Sequence, residues 1–278
     1  MPELPELEVY RENLEALLRG REARAVEVRS VFTVRTVDPP FASVVGRRVA
    51  GAGRRDKRLV LSFEGGPHLE FHLMRSGRLR WKRLADRLHG KLGCLRIDFE
   101  HGSLHMTEAS SRKSASLHVV REPGAPRGAD PLGAGAERMR ELLSRESRQL
   151  KGALVDPDLL AGIGNAYSDE ILFDARLSPL KLTAKLADAE WARLHASIGR
   201  VLREWIGRVR EAAKGALPTE QDEWRREMNV HGKFKSPCPS CGGRVERIAY
   251  AESETHYCPA CQNGGRKLSD RRLDRLLR

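Results

Sequence analysis

Apolar residues Leu4, Leu7, Leu14, Leu17 and Leu18 recur at mostly helical spacing through residues 3–19. Gly20 follows as a stop, so the chain is expected to open with a helix. From residue 26 the period shortens. β-rich runs at 26–31, 58–63, 69–73, 79–81, 95–99 and 116–120 are separated by turn residues such as Gly65, Gly66, Pro67 and Gly102. Short strands at this spacing predict a sandwich or barrel. Residues 121–135 (REPGAPRGADPLGAG) are rich in Gly, Pro and Ala and form the clearest linker in the chain. Helical patterns follow at 136–144, 159–161, 165–175 and 189–213; Pro218 interrupts the series before a short helix expected at 220–228. The stretch from Cys238 to Cys261 is compact and Gly-rich. Residues 266–278 hold six basic and two acidic residues and read as a solvated, partly helical end, with a phosphate backbone as the alternative contact. No internal repeat is visible.

At 278 residues the chain is long enough for two domains, each with its own core. Hydrophobic residues make up 40% and are spread along the chain, which argues against a disordered protein. No apolar run approaches the ~20 residues of a membrane helix. The opening MPELPELEVY carries acids where a secretion signal needs basic and then apolar residues, so a soluble intracellular protein is expected. Lys and Arg number 50 against 38 Asp and Glu, a net charge of +12, which points to a polyanionic partner, nucleic acid first. An arginine bias without a partner is the plainer alternative.

Four of the five cysteines, Cys238, Cys241, Cys258 and Cys261, read C-x2-C-x16-C-x2-C. Two residues between thiolates let one tight turn present both sulfurs to one tetrahedral ion, and the stretch between the pairs is long enough for a hairpin. Four thiolates leave no open position, so the Zn2+ expected here is structural. Disulfides fit poorly in a chain without a secretion signal. Cys94 sits in an apolar run and is expected in a core.

Met1 precedes Pro2, and a small second residue permits removal of the initiator methionine. The exposed α-amine would have a reference pKa of about 7.7–8.0 against ~10.4 for lysine, so much more of it is neutral and nucleophilic near neutral pH. A secondary amine attacking an aldehyde carbon gives a charged iminium, an electron sink. Glu3 and Glu6 are three residues apart and share a face if the helix begins here. They can shuttle protons or simply favour the helix N-terminus. Taken alone, the motif reads nearly as well as an ordinary capped helix.

MPELPELE at the start, LAGIGNAYSDEILF at 160–173 and the four-cysteine ribbon together resemble the Fpg/Nei family of bacterial DNA glycosylases/AP lyases. The resemblance runs in the same order from residue 1 to about 262. It implies an α+β multi-domain fold: an N-terminal helix plus β-sandwich (1–120), the linker 121–135, a helical helix–two-turn–helix domain (136–230), a zinc finger (231–263) and a basic tail (264–278). It implies base excision repair by a bifunctional enzyme. Pro2 matches the Schiff-base nucleophile at C1′, which displaces the damaged base before β,δ-elimination of the phosphates. Glu3 matches the carboxylate assisting sugar ring opening, and Glu6 a second acid. Lys57, in RRDKRLVL, matches a strand-borne lysine that holds the phosphate by the lesion. Asn165 matches the asparagine on the same backbone region, with Gly164 and Gly162 in a turn whose amides approach phosphate; for Asn165 a helix N-cap is the plainer role. The resemblance also implies a monomer, located in the cytoplasm with the nucleoid, whose partner is damaged DNA as duplex or single strand and which has no membrane role.

Four departures from the family pattern bear on substrate. HLMRSG stands where the family reads HLGMSG, which leaves Met74 and Arg75 as alternative wedges for the gap left by an extruded nucleotide. TEASSRKSA at 107–115 stands where 8-oxoguanine enzymes carry a stretch like DPRRFG; Arg112 and Lys113 remain nearby. Ser253 stands five residues before the third cysteine, where a phosphate-binding arginine is usual; either Arg244, Arg247 or the tail replaces it, or the finger is purely structural. The segment 214–233 is shorter than the one that caps the base in 8-oxoguanine enzymes. The expected substrate is therefore not restricted to 8-oxoguanine: oxidised pyrimidines, hydantoins, bulky adducts or abasic sites all suit an uncapped pocket. The alternatives are a catalytically weak lesion-binding paralogue and, more remotely, a basic zinc-ribbon protein acting on RNA or as a scaffold.

Overall fold

The computed structural model describes every residue except 85, 112, 251–252 and 269–278, with backbone alone at 221–222. The described chain divides into two compact units. The first comprises Met1–Pro126 and Ile206–Gln221; the second comprises Arg127–Trp205 and the chain from Asp222 onward. No helix is long and apolar enough to cross a membrane among the described residues.

In the first unit, helix α1 (Leu4–Leu18) begins at Glu3, whose carboxyl caps the Glu6 amide while Glu6 caps Glu3 in return. Leu7, Tyr10, Leu14 and Leu18 fall on one face and are buried. Two antiparallel four-stranded sheets receive them. One runs β1 (Ala25–Val28), β6 (Gly93–Phe99), β7 (Gly102–Glu108), β5 (Gly77–Lys82); the other runs β2 (Val49–Arg55), β3 (Arg58–Phe63), β4 (His68–His72), β8 (Ser116–Val120). Leu59, Leu61, Leu69, Phe71 and Leu117 from the second sheet join Leu79, Leu95, Ile97, Leu104 and Met106 from the first in one core. Cys94 is fully buried in it, and burial pushes its thiol up. Truncating one such leucine, for instance Leu104→Ala, costs about 2–5 kcal/mol.

The second unit is helical. It contains α2 (Ala136–Ser144), α3 (Leu150–Val155), α4 (Asn165–Asp174), most of α5 (Asp188–Ala213) and α6 (Gln221–Arg225) from its second residue. Two turns over 156–164 join α3 to α4, which is the helix–two-turn–helix arrangement. A hairpin of β9 (Glu246–Ala249) and β10 (Glu254–Tyr257) and the short α7 (Pro259–Asn263) complete it.

Several elements differ from the sequence expectation. Residues 159–161 form a turn with a parallel bridge from Leu160 to Ala129, not a helix; the Leu159 and Leu160 amides both donate to Asp156 O. α3 is an additional helix. Strand β1 ends at Val28 rather than 31, and the short helix near 220–228 spans only Gln221–Arg225. β2 was hidden because Gly51 and Gly53 interrupt any apolar run. Glycine at 51 leaves room for Glu15: a Cβ there would lie a tight 3.2 Å from Glu15 Oε2, which accepts the Ala52 amide and draws α1 onto the strand. β7 was hidden because Ser103 and His105 are buried among its apolar residues.

Candidate functional site

Pro2, Glu3 and Glu6 are all buried at the head of α1. The Glu3 amide donates to Glu6 Oε2 at 2.8 Å. Burying two carboxyls is costly unless amides or cations satisfy them. The reciprocal cap supplies part of that. One turn further along α1, Tyr10 is fully buried; burial raises its phenol, and the charges of Arg78 and Arg80 on β5 oppose that shift. On either side of Tyr10, Glu8 pairs with Arg54 of β2 at 2.7 Å, and Glu12 forms a two-point ion pair with Arg210, at 2.8 and 2.9 Å. Arg210 holds the Glu12 carboxyl below the usual range.

Lys57 lies in the two-residue turn joining β2 to β3, next to Asp56 with φ +52°, and is not borne by a strand as expected. The turn sits over a basic sheet face. Arg55 opposes Arg58, and Glu70 opposes both Val60 and His118. Arg55 pairs with buried Glu70 at 2.5 Å. Burial, the Arg58 guanidinium and the Lys57 ammonium push the His72 imidazole down to about 4. Burial and Arg58 likewise lower His118. Crowded, partly desolvated cations of this kind form an anion-seeking surface.

The β4–β5 connection carries the two wedge candidates. Gly77 N donates to Leu73 O at 2.8 Å, closing a tight tip over residues 74–76. A side chain at 77 would strike the Leu73 carbonyl and come within 2.9 Å of the Ala115 Cβ, so only glycine fits. Met74 is half-buried with φ +53°, and Arg75 is the exposed residue of the tip. Nearby, Lys113, Ser114 and Ala115 hang from Glu108: its buried carboxylate accepts the Ser114 and Ala115 amides at 3.0–3.2 Å, and Lys113 donates to its carbonyl. Arg112 lies outside the described residues.

In the second unit, Gly162 has φ +87° and Gly164 is the N-cap of α4 in extended conformation. Asn165 is therefore the first helical residue and not the cap. It is half-buried, while Gly162, Ile163, Gly164 and Ala166 around it are buried. Beneath this turn lies a cluster the sequence pattern did not reveal. Lys151 Nζ is 2.5 Å from Asp169 Oδ1, 3.1 Å from Glu254 O and 3.5 Å from Asn165 O. His231 Nδ1 lies 2.8 Å from Asp169 Oδ2, and His256 Nδ1 lies 3.5 Å from the same oxygen. Burial alone would raise the Asp169 carboxyl, but Lys151 and the two histidines outweigh it and hold it low. Lys151 already supplies the positive charge that a cation at this triad would bring. Next to it, the Glu170 carboxylate accepts the Asn229, Val230 and His231 amides at 2.8–3.0 Å, so α4 fixes the segment entering the finger.

The four finger cysteines converge. Cys241 and Cys258 sulfurs are 3.5 Å apart, Cys238 and Cys261 3.9 Å, and all four lie within 4.8 Å. Tetrahedral zinc with Zn–S of about 2.3 Å requires sulfurs about 3.8 Å apart, so the set fits one structural zinc ion. Gly242, at φ +71°, completes the first knuckle, with Gly242 N donating to Cys238 O at 2.9 Å. Gln262 braces the second by accepting the Cys258 amide and donating to Leu177 O. Ser253 sits at the end of the β9–β10 turn, its carbonyl accepting the Tyr250 amide. Arg247 pairs with Glu254 at 2.5 Å and lies 4.5 Å over Phe234, so it is engaged within the finger. Arg244 is exposed. Of the tail, only residues up to Leu268 are described, and the Leu268 amide donates to Tyr257.

Family models describe the same three parts. The formamidopyrimidine-DNA glycosylase N-terminal domain matches residues 1–117, the formamidopyrimidine-DNA glycosylase H2TH domain matches 128–214, and the zinc finger found in FPG and IleRS matches 235–264. The chain belongs to the formamidopyrimidine-DNA glycosylase family. It is 32% identical over 286 residues to the formamidopyrimidine-DNA glycosylase of Roseiflexus sp. (strain RS-1), covering 94% of this chain and 100% of that one. Crystal structures of Lactococcus lactis Fpg are similar at a TM-score of 0.81 and 27% identity: one with DNA containing an abasic site (94% of this chain, 99% of that one) and one with DNA containing FAPY-dG (94% and 100%). The glycosylase is thus a DNA-binding enzyme of base excision repair with a four-cysteine zinc finger.

Proposed function

We propose that the glycosylase excises damaged bases through Pro2 and then cleaves the strand as an AP lyase. With Met1 removed, the Pro2 nitrogen attacks C1′, the C1′–N bond to the base breaks, and the base leaves with the bonding pair and takes up a proton while the Pro2 nitrogen loses its own. Protonation of O4′ then breaks the C1′–O4′ bond and opens the sugar, leaving C1′ double-bonded to the nitrogen. The resulting iminium withdraws electrons, so loss of a C2′ proton expels the 3′ phosphate and a second elimination expels the 5′ phosphate. The observation that supports this reading is the imino acid at position 2 placed directly ahead of two buried carboxyls, Glu3 and Glu6. Glu3 is the group assigned to protonate the opening sugar, and Glu6 holds it in place.

Lys57 at its hairpin turn and Gly164–Asn165 at the head of α4 are assigned to the phosphates flanking the lesion. A tight turn presents an ammonium with few steric limits, and a helix N-terminus presents backbone amides and a favourable dipole. Arg75, at the exposed tip, is assigned as the wedge, with half-buried Met74 supporting it. The substrate range extends beyond 8-oxoguanine to oxidised pyrimidines, hydantoins, bulky adducts and abasic sites.

Borohydride reduction tests the chemistry. The processed protein should trap covalently on abasic DNA, and Pro2→Gly should not. Normal trapping by Pro2→Gly would reject the assigned nucleophile. DNA binding with no cleavage on a panel of 8-oxoguanine, thymine glycol, hydantoin, uracil, bulky-adduct and abasic substrates would favour a lesion-binding protein instead.

A further inference from the structure

Within the first unit, one guanidinium joins the hairpin tip to the chain that leaves α5. Arg78 Nη1 donates to Arg75 O at 3.0 Å and Gly77 O at 2.8 Å, and its Nε donates to Thr219 O at 2.8 Å. Arg80, two residues on and on the same strand face, donates to Thr219 Oγ1 at 3.4 Å and faces Glu220 at 3.6 Å. The segment is held at further points: Asn13 of α1 donates to Ala216 O at 2.6 Å, and Leu217 is buried in the core. This is the start of the stretch that looked too short to cap an extruded base. It is fastened to β5 and α1.

We propose that Arg78 is a positioning residue: it locks the 74–76 tip and the 216–220 strap into one preset surface. The glycosylase then holds the duplex open with a wedge fixed before DNA arrives, and the strap stays down instead of folding over the base. The guanidinium is suited to this because its rigid planar fork of donors fixes carbonyls from two segments in one set geometry. Arg78 also acts on Tyr10, one turn from Glu6, so the clamp borders the helix that carries the nucleophile. A residue that positions the wedge matters when a partner base must be held away from an extruded nucleotide, and matters little when that base is missing. The inference rests on the Pro2 reading for its activity arm only.

The test uses the full zinc-loaded chain and the same abasic site in two settings: a duplex with a base opposite, and a duplex lacking the opposite nucleotide. Single-turnover borohydride trapping by Arg78→Ala is expected to slow about tenfold on the complete duplex and to stay within about twofold of wild type on the gapped one, with Arg78→Lys in between. Equal slowing on both substrates, or on neither, would overturn the proposal. Amide hydrogen exchange gives a readout independent of activity. Arg78→Ala should speed exchange at 74–77 and 216–220 together while β3 and β4 stay protected. Protection lost throughout the sandwich, or unchanged at the strap, would overturn it. Wild-type protein that traps neither substrate would reject the Pro2 chemistry while leaving the exchange result to decide the clamp.

Discussion

Glu3 and Glu6 cap each other: the Glu3 amide donates to the Glu6 carboxylate at 2.8 Å, and the Glu3 carboxyl accepts the Glu6 amide. Structural and chemical roles therefore coincide in one pair and must be separated by choice of substitution. Glu6→Gln keeps an acceptor for the Glu3 amide and should leave thermal stability within about 0.5 kcal/mol, whereas Glu6→Ala should cost about 1 kcal/mol. If Glu6 serves only as a cap, excision by Glu6→Gln will match wild type. A loss of excision at unchanged stability, read by single-turnover kinetics and a melt, is the expected outcome.

His72 makes the first unit pH-sensitive. Its folded pKa is depressed from 6.5 to about 4. Between those values the unfolded chain takes up a proton that the folded chain refuses, so stability falls as pH drops from about 6.5 towards 4, and the loss levels off below that. His72→Gln should flatten this part of the urea-midpoint profile. A variant profile parallel to wild type through that window would show that His72 does not carry the effect.

Asp169 is the counter-charge for Lys151, and both are buried. Asp169→Asn would leave the ammonium in a low-dielectric site with only carbonyls, at a cost of about 3–5 kcal/mol. The same change frees His231 and His256, so mobility of the finger entry should rise as well. Urea denaturation and exchange at 229–231 measure the two effects; a cost below about 1 kcal/mol would mean the cluster is better hydrated than its burial indicates.

Chelating the zinc should release residues 235–264 from their fold, because four sulfurs drawn from both ends of the finger converge at tetrahedral spacing on that one centre. Tyr257 lies next to Cys258, so its fluorescence reports the change. DNA binding is expected to weaken in parallel, and unchanged affinity after verified metal loss would make the finger dispensable for binding.

Much of this was legible in the residue pattern, for identifiable reasons. Pro2, Glu3 and Glu6 stand in one contiguous motif, and the cysteines are fixed by spacing, so neither needs tertiary information. Lys57 and Asn165 could be singled out as candidates from their motifs, but their local settings could not: a two-residue turn and the first helical position depend on backbone angles at Asp56 and Gly162 that composition does not encode. Lys151, Asp169, His231 and His256 were missed because they are brought together across 106 positions of sequence. Each alone reads as an ordinary polar residue. The sheet strands that escaped notice, β2 and β7, carry glycines or buried polar side chains where apolar alternation is expected. The clamp at Arg78 was invisible, since its acceptors are backbone carbonyls, which no side-chain pattern records.

The first unit takes up residues 206–221 after the chain has already passed through the second. A protein fragment ended in the Gly- and Pro-rich stretch near 126 would therefore lack Leu217 from its interior and the partners of Asn13, Glu12 and Arg78. The obvious cleavage point is thus the wrong place to divide the molecule: the amino-terminal half becomes whole only when later-synthesised chain, residues 206–221, comes back to it.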